Sequence, residues 1–125
     1  MSTAELQSAR YVSLVTYRKS GKEVATPVWA AFENDTFYIF SAGGAGKVKR
    51  LRNSDKARIA KCDGRGKLLG ESYEAKAYLI KDLTHLDTAL AALRGKYGVQ
   101  MWLADFFARL LGKFNKRAYI ALRLA

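Results

Sequence analysis

Residues that build many small-protein sites are scarce in this chain. It has one cysteine, one histidine and one proline in 125 residues. A single cysteine makes no internal disulfide, so a stapled secreted scaffold is excluded. One histidine and one cysteine do not furnish a His/Cys zinc site within one chain. One histidine leaves a single possible His-based triad, and no nucleophile motif accompanies His85. No run reaches the roughly 18 consecutive apolar residues of a membrane-spanning helix. Residues 1–10 lack the basic start and apolar run of a secretory signal. A cytoplasmic protein with no membrane partner is the expectation.

Acid is scarce too. There are 11 Asp+Glu against 22 Lys+Arg, a formal net charge of +11. Such an excess favours an anionic partner, with nucleic acid first in line and acidic small molecules second. Nine of the basic residues fall between Lys47 and Lys67, opposed only by Asp55 and Asp63. What remains is ordinary. Half of the residues are hydrophobic and 26% charged, a globular composition, and the length suits one domain spanning residues 1–125.

Periodicity and turn chemistry divide the chain. Residues 2–5, Ser-Thr-Ala-Glu, fit a capping box and predict a short helix to about residue 9. Residues 11–18 and 23–32 read as two strands of a hairpin around a turn at 19–22. Residues 36–41 form a third strand, apolar on both faces, with Phe37 and Ile39 on one and Tyr38 and Phe40 on the other. Such a strand belongs in a barrel wall covered from outside, or in a dimer interface. A small-residue loop follows, then a short helix over 47–53 with Val48 and Leu51 on one side. Strands are predicted at 56–63 and 69–81; in the second, Tyr73, Ala75, Ala77 and Leu79 share a face. Thr84, with Asp87 at the box position, is expected to cap a helix running to Tyr97 and stopped by Gly98.

A second helix is predicted at 100–111, stopped by Gly112. Its stripe of Trp102, Leu103, Phe106, Phe107, Leu110 and Leu111 reads as core or dimer contact rather than a cofactor box. Asp105 and Arg109 read as a surface pair. A last strand spans 117–124. Six strands joined mostly by tight turns predict a mainly β protein with flanking helices, a closed antiparallel barrel.

Residues 41–47 carry the clearest chemistry. A strand ends at Ser41, small residues follow, and a helix begins at Lys47. Glycines such as Gly46 let backbone approach a ligand, N–H groups at a helix start favour an anion, and Lys47 adds a full charge. That is the chemistry of a phosphate cradle. It is not a P-loop, which needs Gly at the position of Ser41 and Ser or Thr at that of Val48. Pro27 cannot donate to a ladder, so it belongs at a strand edge or bulge, with Val28 and Trp29 beside it. Lys49, Arg50 and Arg52 lie on the cradle's helix and suit a longer anionic tail or DNA phosphates. Cys62 reads as a buried, inert thiol, and His85 as structural or solvated.

Several blocks together resemble the pyridoxamine-phosphate-oxidase-like flavoproteins. They are Tyr11-Val-Ser-Leu-Val-Thr16, Thr26-Pro27-Val28-Trp29, Phe37-Tyr-Ile-Phe-Ser41, Gly46-Lys47-Val48-Lys49-Arg50-Leu51-Arg52-Asn53 and Cys62-Asp63-Gly64-Arg65-Gly66. More narrowly, they look like the flavin/deazaflavin branch that uses coenzyme F420. The resemblance covers roughly residues 11–80. It implies an FMN-binding split barrel of six antiparallel strands, a homodimer, and a cofactor groove between subunits. It also implies that Lys47 holds the cofactor phosphate, with Ser41 and the loop through Gly46 beside it. Pro27, Val28 and Trp29 would then lie against the ring, and Lys49, Arg50 and Arg52 face the tail.

The expected activity is hydride transfer between coenzyme F420 or FMN and a small organic substrate, with no side chain assigned as catalytic and no metal. A non-enzymatic flavin-type or haem carrier on the same barrel is the alternative. A nucleic-acid-binding module comes third, so no nucleic-acid partner is expected.

Overall fold

The computed structural model describes residues 3–42, 46–112 and 117–125. Along them the chain runs α1 (Ala4–Ser8), β1 (Tyr11–Tyr17), β2 (Glu23–Val28), β3 (Ala30–Glu33), β4 (Thr36–Ala42) and α2 (Gly46–Asn53). It continues with β5 (Lys56–Cys62), β6 (Leu68–Leu79), α3 (Leu83–Tyr97), α4 (Val99–Leu110) and β7 (Arg117–Leu124). The strands form one antiparallel sheet in the order β2-β1-β5-β6-β7-β4-β3. Its two outermost strands are consecutive in the chain and joined through Trp29 alone. The sheet therefore rolls into a barrel, which removes the open edges that a flat sheet would expose.

This closure changes the expected strand count from six to seven. The predicted strand at 23–32 is two strands. Residues 23–28 pair with β1, from Tyr17↔Glu23 to Val12↔Val28. Residues 30–33 pair with β4, from Ala30↔Ile39 to Glu33↔Thr36. One unbroken apolar run serves two ladders, and nothing in its pattern marks the crossing. Pro27 lies on β2, at a sheet edge, where its missing N–H costs no ladder bond. The next turn is tight: Asn34 and Asp35 both have positive φ (52° and 61°), as a two-residue hairpin loop requires.

Two apolar layers account for the two-faced third strand. Val12, Leu14, Phe37, Ile39, Ile59, Ile120 and Leu122 fill the barrel, with Leu6 of α1 and Leu51 of α2 packed among them. On the outer face Tyr38 and Tyr119 meet Ala89, Leu93 and Tyr97 of α3 and Met101 of α4. The β6 residues Ala75 and Ala77 point inward, as their alternation predicts.

The helix caps depart from expectation. α3 starts earlier, because Asp82 rather than Thr84 is its N-cap. The extended backbone of Asp82 (φ −91°, ψ 149°) lets its carboxylate accept from the His85 N–H at 3.1 Å. Thr3 precedes α1 without a side-chain capping bond; its hydroxyl accepts from Gln7 Nε2 at 3.0 Å. Ser2 lies outside the described residues.

The crossing is held by the end of α3. Tyr97 Oη accepts from Ala30 N–H at 2.9 Å and meets the Arg10 carbonyl at 2.9 Å. Lys96 Nζ donates to the carbonyls of Ala9 (2.5 Å) and Ala30 (2.6 Å). Ala30, the first residue past the crossing, thus has its N–H and carbonyl satisfied, and the same side chains tie in the link from α1 to β1. Burial, and secondarily the Arg10 guanidinium, pushes the Lys96 amine down to about 8 from its ordinary 10.5.

Two measurements follow from this packing. Leu122 is fully buried and Leu110 is 69% exposed. Denaturant titration should show Leu122→Ala losing about 2–5 kcal/mol and Leu110→Ala within about 0.5 kcal/mol of wild type. Equal losses would contradict the core assignment. For Lys96 the sign is fixed by linkage. Between about pH 8 and 10.5 the unfolded amine keeps a proton that the folded amine has lost, so stability rises with pH. Wild type should therefore gain stability relative to Lys96→Met across that window. A difference that stays flat with pH would show that the amine is not desolvated in its cage.

Candidate functional site

The proposed cradle is built from the end of β4 and the start of α2. Ser41 is buried on β4, opposite Ala118 of β7, and shares its strand face with Phe37 and Ile39. Gly43, Gly44 and Ala45 lie outside the described residues. Gly46 begins α2, and Lys47 follows, half-buried. Val48 and Leu51 are the buried residues of this helix, matching the predicted apolar side.

The helix start is strongly cationic. Arg50 Nε donates to Thr16 Oγ1 at 2.6 Å, which ties α2 to β1. The same guanidinium lies over Gly46: a Cβ placed there would sit 2.7 Å from Arg50 Nη1. Burial, then the positive Arg50, pushes the Lys47 amine below its ordinary range. Among the described residues neither Lys47 nor Arg50 is ion-paired with a carboxylate. Two neighbouring cations, one partly desolvated, gain most from an anion that replaces lost water. The donor set suits phosphate, and the absence of a side chain at Gly46 lets the Arg50 guanidinium lie against the helix start. Lys49 and Arg52 are exposed on the same helix.

The Pro27–Trp29 stretch occupies the barrel crossing. Pro27 is exposed, Val28 is buried in the barrel and Trp29 is half-buried. One indole face stacks on Tyr97 (centroids 4.7 Å, planes 11° apart), and the ring meets Phe40 edge-on at 5.9 Å. Phe40 precedes Ser41, so the crossing stands beside the strand end that leads to the cradle. Gly66 follows the Cys62–Gly66 block and approaches Pro27: a Cβ there would lie 3.7 Å from its Cδ, and its φ of +93° favours glycine.

Other sequence candidates resolve into structural roles. Cys62 is buried, and burial followed by Asp63 pushes its thiol up, so it is held as an unreactive thiol. His85 Nδ1 lies 2.8 Å from the Asp82 carboxylate in an exposed first turn. The expected surface pair of Asp105 and Arg109 fails at the aspartate. Asp105 is buried, and its carboxylate bridges Arg94 (3.1 Å) and Arg117 (2.7 Å). The Lys96–Tyr97 lock and this three-residue bridge have no signal in spacing, since the four charged residues resemble ordinary helix and strand charges and Tyr97 an ordinary helix aromatic. No group of three His, Cys, Asp or Glu suited to a metal ion occurs among the described residues.

The comparisons agree with this architecture. A family model described as pyridoxamine 5'-phosphate oxidase matches residues 2–122. No curated protein matches. Similar solved structures include a putative 5-nitroimidazole antibiotic resistance protein from Bacteroides thetaiotaomicron, 16% identical, covering 97% of this chain and 76% of that one, with a TM-score of 0.70. A FAD-binding protein from Mesorhizobium loti is 13% identical over 98% of this chain and 84% of that one (TM-score 0.68). The haem storage protein HutZ from Vibrio cholerae is 10% identical over 93% and 82% (TM-score 0.70). At these identities the likeness is one of fold.

The closeness of the two cations is open to measurement. Replacing Arg50 by Met removes a charge that disfavours protonation of Lys47, so the Lys47 amine should titrate at higher pH in Arg50→Met. Side-chain NMR titration reads this directly. An unmoved Lys47 titration would separate the two groups.

Proposed function

The chain belongs to the pyridoxamine 5'-phosphate oxidase family, and on that premise we propose that it is a flavin- or deazaflavin-dependent oxidoreductase acting on a small organic substrate. The observation that carries this reading is the pair of cations at the start of α2, close together and without a carboxylate partner among the described residues. Lys47 and Arg50 would hold the cofactor phosphate, with Ser41 at the strand end beside it. The basic side chains of Lys49 and Arg52 suit the polycarboxylate tail of coenzyme F420 better than FMN, which ends at one phosphate. Pro27, Val28 and the outer side of Trp29 would bound the ring.

When bound, such a ring supplies the hydride chemistry. The chain's own residues would bind, orient and exclude water, and among the described residues of the cradle there is no acid–base pair. A homodimer that completes the ring site from a second copy belongs to the same proposal. For the haem-carrier alternative this chain gives little support, because its one histidine is engaged with Asp82 at an exposed helix start.

Fluorescence titration with FMN and with coenzyme F420 tests the cradle. Lys47→Ala should weaken binding by roughly 10- to 150-fold, the worth of a lost charge-assisted bond. Lys81→Ala, on the exposed link between β6 and α3, should leave affinity within about twofold of wild type. Equal losses in the two variants would sink the cradle. Reoxidation of the reduced cofactor that depends on an added substrate would separate an oxidoreductase from a carrier.

A further inference from the structure

Three strands leave a notch on the outer face of the barrel, toward the end of β4 away from the cradle. Tyr78 of β6, Ala121 of β7 and Tyr38 of β4 stand in one row, paired Tyr78↔Ala121 and Tyr38↔Ala121. Neighbouring strands lie about 4.8 Å apart, which sets the two tyrosine backbones about 9.5 Å apart with a single methyl group between them. A flat ring between two walls takes about 7–8 Å, two carbon contacts of about 3.5–4.0 Å each. The row opens into a groove of ≈ 510 Å³ that the start of α3 also lines, with Leu79 and Ile80 as further apolar surface.

The polar groups of this groove are available. Tyr38 is 7% exposed, and its hydroxyl has no hydrogen-bond partner among the described residues, yet it is not walled off in the core. The groove is the cavity that Tyr38 lines. Arg123 is fixed by one nitrogen: its Nε donates to Thr36 Oγ1 at 3.2 Å. Among the described residues no carboxylate pairs with the Arg123 guanidinium or with Lys81. The one acid lining the groove is Asp82, and both of its oxygens are engaged with His85, one with the backbone N–H at 3.1 Å and one with Nδ1 at 2.8 Å. Two unpaired cations and a phenol donor therefore surround an apolar slot one ring wide. An arginine fork matches a planar carboxylate. A carboxylate on an aromatic ring lies in the plane of that ring and fits such a slot, whereas a tetrahedral phosphate does not.

We propose that this groove is a ligand site distinct from the cradle, for a flat aromatic carboxylate. The ring lies on Ala121 against Tyr78, the carboxylate takes the free nitrogens of Arg123, and the Tyr38 hydroxyl donates to the bound molecule. Thr36 and Ser41 are about 17 Å apart along β4. Ser41 shares the inward face with Phe37 and Ile39, whereas Tyr38 belongs to the outer apolar layer. The site therefore stands whether or not the cradle holds a cofactor.

The test is a titration of the isotope-labelled full chain with benzoate, followed by amide NMR. Saturable shifts should centre on Tyr38, Tyr78, Ala121 and Arg123. Benzyl alcohol keeps the ring and lacks the carboxylate; cyclohexanecarboxylate keeps the charge and lacks the flat ring. Each should bind about tenfold or more weaker than benzoate. Tyr78→Ala and Arg123→Met change exposed side chains, so both should keep the fold and lose benzoate affinity to a similar extent. No saturable binding of benzoate overturns the proposal. So do shifts confined to the start of α2, which would make benzoate a ligand of the cradle, and so does affinity that either variant leaves unchanged. Equal binding of benzoate and either analogue overturns the assigned ligand class.

Discussion

Closure of the barrel at one residue is the constraint on which the rest of the molecule depends. Trp29 joins the two edge strands, so the chain leaves one ladder and enters another without a loop. A backbone at such a junction has donors and acceptors that neither ladder serves, and leaving them unmet costs about 1–3 kcal/mol each. Lys96 and Tyr97 meet that need from the end of α3, with the indole of Trp29 stacked on the Tyr97 ring. The same contacts tie α3 to the end of α1 and to the outer face of β4. The second apolar layer and the junction are therefore one device.

The proposed site draws on that device. Trp29 touches Phe40, the neighbour of Ser41, so a rigid crossing stands next to the strand end that leads to the cradle. On the other side Arg50 reaches Thr16 of β1 and holds α2 by its basic side. Local stability is given up here: two cations are set together and one is partly buried. Such an arrangement is costly without an anion and rewarding with one.

Much of the fold was legible because burial leaves a periodic trace. β7 was readable to its limits, since Ala118, Ile120, Leu122 and Leu124 recur at every second position between Arg117 and Leu124. The two-faced pattern of β4 indicated a covered barrel wall or a dimer interface, and the layer of α3 and α4 covers it within the chain. The crossing was not legible, because Val28, Trp29 and Ala30 continue an apolar run and pairing partners leave no mark in sequence. Nor was the α4 orientation: the stripe indicates a helix and reads as core or dimer contact, and the buried, paired Asp105 shows that within this chain it is not core. Lys96 looks like any cation at a helix end, so its role in closing the barrel needed the structure. For the candidate site, the residues came from local chemistry and resemblance, whereas the closeness of Arg50 to Gly46 and Thr16 came only from three dimensions.

Anchoring of a cofactor through its phosphate is the central claim, and comparing two ligands that differ only in that group tests it most directly. The apo-protein would be titrated with FMN and with riboflavin under the same salt conditions, alongside coenzyme F420. The account predicts that a phosphate-bearing cofactor binds saturably, and that loss of the phosphate from FMN weakens binding by about tenfold or more. Equal affinity for FMN and riboflavin, or no binding of any of the three, would contradict it.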